Sequence, residues 1–60
     1  MEKIKNLRID QGLTQRELAR RAGISNTSLW KIEHGGGARP PTLKKLADVL
    51  GVRASELVKG

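Results

Sequence analysis

The sequence predicts an all-α fold, a compact set of five short helices, and three observations carry that prediction. Apolar residues make up 37% of the 60, yet they are almost all aliphatic, with one Trp and no Phe or Tyr. Sheets draw on aromatic and β-branched residues, so an interior of Leu, Ile, Val and Ala suits packed helices better. Helix starts and stops recur about every ten residues, as Ser, Thr or Pro before a run and Gly after it. Within each run the apolar positions fall three or four apart, the spacing of one helix face. By length the chain is one small domain, so residues 1–60 are expected to share a single core.

The first helix is expected from Glu2 to Gln11, with Ile4 and Leu7 on one face and Gly12 as a left-handed stop. Thr14-Gln15-Arg16-Glu17 is a capping box, in which the Thr hydroxyl and the Glu carboxylate each accept the other residue's backbone amide. A second helix therefore starts at Gln15, buries Leu18, Ala19 and Ala22, and stops at Gly23. Ser25 caps a third helix, which buries Leu29 and Ile32 and runs to about His34, before Gly35. Only Gly23, Ile24 and Ser25 separate these two helices, and short helices joined by so tight a turn cross steeply. Gly35, Gly36, Gly37, Ala38 and Arg39 read as a loop. Pro40 and Pro41 fit only the first turn of a fourth helix, where a missing amide costs nothing. Leu43, Leu46, Ala47 and Leu50 give that helix an apolar face, and Gly51 closes it. A short fifth helix, Ala54 to Val58, is anchored by Leu57.

Charge points to a class of partner. Twelve Lys and Arg against six Asp and Glu leave a net charge of +6, which predicts a polyanion. The absence of Cys excludes disulfides and thiolate metal sites, and fits a reducing compartment, with the cytoplasm as the expected location. His34 stands alone as an imidazole, so neither a metal nor a cofactor is expected. Catalysis is equally disfavoured, because there is no carboxylate pair at site spacing and no phosphate-cradling Gly motif after a strand. Glu33 and His34 are neighbours about 100° apart on a helix, poor geometry for a dyad. No apolar run approaches the roughly 20 residues of a membrane span, and Met1 to Lys5 lead into no apolar segment of a secretory signal.

The third helix has two unlike sides. With Leu29 at the origin of a helical wheel, Ile32 and Glu33 fall within about 60° of it, while Thr27, Lys31 and His34 lie on the opposite side, between roughly 140° and 200°. Asn26 and Thr27 occupy its first turn. These residue types suit base edges in a major groove: Asn pairs with adenine, Lys donates to guanine, and Thr offers a hydroxyl and a methyl. Trp30, at about 100°, lies on the border, open to half-buried packing or to contact with sugar or a thymine methyl. Glu33 lies near the C-terminal end of its helix, where the dipole disfavours an anion, and needs a cation.

Read together, Leu13-Thr14-Gln15-Arg16-Glu17-Leu18-Ala19, Ala22-Gly23-Ile24-Ser25, Leu29-Trp30-Lys31-Ile32-Glu33-His34-Gly35 and Thr42-Leu43-Lys44-Lys45-Leu46-Ala47 with Leu50-Gly51-Val52 resemble the lambda-repressor and Cro type of helix-turn-helix, the XRE-like family. The resemblance covers nearly the whole chain. It implies a five-helix lambda-repressor-like DNA-binding domain over 1–60, with the helix-turn-helix at helices two and three. It further implies base contacts from Asn26, Thr27 and Lys31, a phosphate contact from Gln15 at the start of the second helix, and an ion pair between Arg8 and Glu33. Arg16, Ser28, Trp30 and Arg39 complete the expected DNA-backbone set, with Lys44 and Lys45 as further neutralising charges. Trp30 stands where many members carry a small polar residue.

The expected function is sequence-specific binding of double-stranded DNA by a transcriptional regulator, a repressor by class, acting as a homodimer on two half-sites about one helical turn apart. The alternative is a protein-interaction module on the same fold, antitoxin-like or co-activator-like, with Trp30 as its anchor. RNA is a weaker fit, since stacking aromatics beyond Trp30 are absent and the deep, narrow groove of an A-form helix does not admit side chains.

Overall fold

The structure, a computed structural model, describes residues 1–58. Five helices follow in order: α1 (Glu2–Asp10), α2 (Gln15–Ala22), α3 (Asn26–Glu33), α4 (Pro40–Leu50) and α5 (Ala54–Val58). Two ends fall one residue short of the sequence expectation. Gln11 leaves α1 with its backbone amide still bonded to the Leu7 carbonyl, and its side-chain Nε2 donates to the Leu50 carbonyl at 2.7 Å. His34 is the C-cap of α3 rather than its last turn.

Local chemistry explains where the helices begin. The Thr14 hydroxyl accepts from the Glu17 amide at 3.0 Å, and the Glu17 carboxylate accepts from the Thr14 amide at 3.1 Å. That second bond, from the Thr14 amide, is the main reason the Glu17 carboxyl lies below its ordinary value. The Ser25 hydroxyl accepts from the Ser28 amide at 3.0 Å and opens α3 in the same way. α4 has no side-chain cap and starts on its prolines.

Helix ends are closed by an amide one or two residues beyond each cap reaching back over a turn: Leu13 to the Arg8 carbonyl, Ile24 to Ala19, Gly36 to Lys31 and Val52 to Ala47. In the turn between α2 and α3, Gly23 has φ +71°, a conformation costly for any residue with a Cβ. It aims Ile24 back at the core, against which Leu13 and Val52 also pack. Gly36 is different. A Cβ there would lie 2.6 Å from the Lys31 carbonyl oxygen, so close backbone approach excludes a side chain.

The core draws on every helix. Ile4 of α1, Leu18 of α2, Leu29 of α3 and Leu46 of α4 are fully buried, and Leu57 of α5 is 2% exposed. Burying each Leu or Ile contributes about 1.5–3 kcal/mol. α2 and α3 pack on each other, and α4 backs α2, leaving the side of α3 away from Leu29 and Ile32 open. Among the described residues no helix is long and apolar enough to cross a membrane.

Gly36→Ala is expected to destabilise the protein by about 2 kcal/mol, the scale of an unrelieved overpacking. Gly37→Ala, whose Cβ would meet nothing within 4 Å, should leave the urea midpoint nearly unchanged. Paired denaturation curves check both.

Candidate nucleic-acid interface

Behind the open face of α3 is a buried carboxylate. The Glu33 side chain is 0% exposed and that of Arg8 12%. Arg8 grips it at two points, Nε to Oε2 at 2.7 Å and Nη2 to Oε1 at 3.1 Å, while Nη1 donates to the Leu13 carbonyl at 2.9 Å. Gln15, the first residue of α2, adds a third bond, Nε2 to Oε1 at 3.0 Å. Burial alone pushes the Glu33 carboxyl up; the hydrogen bonds from Arg8 and Gln15 and the Arg8 charge outweigh it, holding the group below its ordinary value of 4.5. Three helices thus meet on one side chain. The Met1 nitrogen also donates to the Ile32 carbonyl, a second tie between the start of the chain and α3.

In front, Asn26, Thr27, Ser28, Trp30 and Lys31 are exposed along α3, as are Arg16 on α2 and Arg39 at the N-cap of α4. They flank two depressions. One, of about 320 Å³, is lined by Gln15, Asn26, Thr27 and Trp30. The other, of about 260 Å³, is lined by Ser28, Lys31, Arg39 and Thr42, over a floor that includes Ile24 and Ile32. Amides, a hydroxyl and an aromatic ring therefore collect on the first side, and hydroxyls and cations on the second. Lys31 belongs with the cations rather than with Asn26 and Thr27. Arg16 lines neither depression, and Lys44 and Lys45 are exposed on α4. Ser25 donates its hydroxyl proton to Ser28 Oγ at 2.9 Å, which leaves the Ser28 proton free to point outward.

Trp30 is 52% exposed, which decides the border position in favour of the surface. The His34 ring stacks on it, centroids 4.0 Å apart and planes 13° from parallel, and His34 Nδ1 lies 2.8 Å from the Trp30 carbonyl oxygen. In the sequence His34 stands only as a lone imidazole on the polar side of α3, although the i, i+4 spacing of two aromatic rings is the signal for this stack. Sequence reasoning also missed the bond from Gln15 to Glu33. The signal there was the carboxylate itself, since a buried anion needs more donors than one guanidinium edge provides.

Residues 4–57 match the family described as helix-turn-helix. The chain belongs to the helix-turn-helix family. Within it, the arrangement is the XRE-like, lambda-repressor-like one. The chain is 41% identical over 59 residues to an uncharacterized HTH-type transcriptional regulator, RghRB of Bacillus subtilis (strain 168), a match covering 95% of this chain and 42% of RghRB. It therefore spans less than half the length of that curated relative. Among solved structures, the crystal structure of SinR, the master regulator for biofilm formation, in complex with DNA is similar at a TM-score of 0.91 and 30% identity. That match covers 97% of this chain and 95% of the SinR chain. A SinR protein–SinI protein complex is similar at a TM-score of 0.87 and 32% identity, covering 97% of this helix-turn-helix and 58% of the other chain.

Because the Glu33 carboxyl is depressed in the folded state, its contribution is fully present above 4.5 and is lost as pH falls through the lower folded value. Glu33→Gln should cost about 3 kcal/mol at pH 7, since it leaves Arg8 without its anion. That cost should shrink as acid protonates the wild type. Urea titrations of both proteins from pH 7 to pH 2 measure the convergence.

Proposed function

We propose that residues 1–60 form one helix-turn-helix DNA-binding domain of a transcriptional repressor, in which α3 lies in the major groove of double-stranded DNA. Asn26 and Thr27 meet base edges, Lys31 reaches a base or its phosphate, and Gln15, Arg16, Ser28, Trp30 and Arg39 hold the backbone on either side. The observation that carries this reading is the partition of the α3 surface: amide and hydroxyl groups in one depression, cations and hydroxyls in the other, with no acidic side chain lining either. A net charge of +6 adds the long-range attraction. The likeness to SinR, solved in complex with DNA, supports DNA as the partner.

The domain acts as a homodimer, with two copies of α3 in successive major grooves about 34 Å apart on a palindromic site. It works without a metal, a cofactor or catalysis, in the cytoplasm. Repression follows from occupancy, since a groove filled by α3 excludes other proteins from the same turn of DNA. The protein-interaction alternative is less favoured, because both RghRB and SinR are named as regulators and one SinR structure holds DNA.

Selection from a random duplex pool should enrich palindromes with half-sites one turn apart. Lys31→Ala should weaken binding to a selected duplex by about 1–3 kcal/mol if it reads a base, or lower the salt slope by about 0.9 if it holds a phosphate. Fluorescence anisotropy over a salt series separates the two. Wild-type affinity and slope in the variant would remove Lys31 from the interface.

A further inference from the structure

A large aromatic ring half in water is an unfavourable placement, and this one is stacked on a neighbour. The His34 ring stacks against Trp30 at 4.0 Å, and His34 Nδ1 sits 2.8 Å from the Trp30 carbonyl oxygen, so the indole already has a packing partner before any ligand arrives. The stack shelters one part of the indole, and the ring also borders the depression it shares with Gln15, Asn26 and Thr27. Gln15 is a fixed wall, because its Nε2 is tied to the buried Glu33 carboxylate at 3.0 Å. The depression is a shallow, open cup, with an amide from Asn26 at one side and an apolar ring at the other. Its neighbour across α3, lined by Ser28, Lys31, Arg39 and Thr42, has cations and no large ring, which suits phosphate.

The major-groove edge of an A·T pair presents, in order, the adenine N7 acceptor, the adenine N6 donor, the thymine O4 acceptor and the thymine C5 methyl. No other base pair places an acceptor and donor beside a methyl. We propose that the cup formed by Gln15, Asn26, Thr27 and Trp30 reads one A·T base pair, with the Asn26 amide on the adenine edge and Trp30 covering the thymine methyl. The inference rests on the DNA-binding reading above, and it turns Trp30 from a backbone contact into a specificity-determining residue. Stacking by His34 favours this role, since a ring already packed against a neighbour loses less freedom on contact than a free one.

The test uses the whole chain and a duplex enriched from the random pool, with each thymine replaced in turn by deoxyuridine, which removes the methyl and keeps the pairing. In the wild-type protein one position per half-site should lose about fourfold in affinity, the value of one buried methyl-sized group. Trp30→Ala and Trp30→Gln, both at an exposed position and checked for helix content, should bind the thymine and deoxyuridine duplexes equally. The proposal is overturned if no thymine position is sensitive in the wild type, or if the sensitivity survives in both Trp30 variants. A pool that enriches no sequence at all sinks the DNA-reading function along with it. An enriched duplex without methyl sensitivity sinks only the role of Trp30.

Discussion

The position of α3 depends on one buried anion. Glu33 sits at the C-terminal end of its helix, against the dipole, with its carboxylate out of reach of water. An apolar pair of the same volume would stabilise at least as well. What the carboxylate supplies is direction: Arg8 arrives from α1 in a two-point grip that fixes angle as well as distance, and Gln15 arrives from the first turn of α2. A slide of α3 along α2 would break the Gln15 bond, and a roll would break the grip of Arg8. The contacts of Leu18, Leu29 and Leu46 are not directional, so the polar cluster adds an orientation that burial alone does not specify.

That orientation reaches the outer surface through Gln15. The residue that completes the shell of Glu33 also lines the depression bounded by Asn26, Thr27 and Trp30. Interior and exterior of the helix pair are thereby one assembly. The amide of Asn26 and the ring of Trp30 keep their separation because they stand one turn apart on the same helix, and Gln15 adds a third side fixed to the core. The opposite depression, with Lys31 from α3 and Arg39 from the cap of α4, is bounded by the loop that Gly36 allows to pass close to the Lys31 carbonyl.

Most of the backbone was legible in the sequence because its determinants are local. The Thr14 to Glu17 box, the Ser25 cap, the prolines at 40 and 41 and the glycines after each helix act over four residues or fewer, and each falls where the spacing predicts. The chemistry at the ends of long separations was harder to read. Gln15 reaches Glu33 across 18 residues, and Gln11 reaches the Leu50 carbonyl across 39, and neither distance is set by anything short of the packed fold. Glu33 announced its need for a cation through its place in the helix, yet its second donor could be found only by following the demand of a buried charge to completion. Trp30 lay on the border of the wheel, where periodicity gives no answer; the packed fold leaves it half exposed, with the His34 ring stacked on it.

Three of the four helix stops serve a second purpose. Leu13, Ile24 and Val52 each follow a left-handed glycine and each press into the interior, so those connections act as stoppers that cannot be lengthened without uncorking the hydrophobic centre. The link from α3 to α4 has Gly36 in the equivalent place, with no side chain to lose. Extra residues could enter after it at small expense to the rest of the molecule. Room for added residues is therefore confined to Gly37, since Ala38 packs on the core and Arg39 caps α4, and this point borders the groove lined by Lys31 and Arg39.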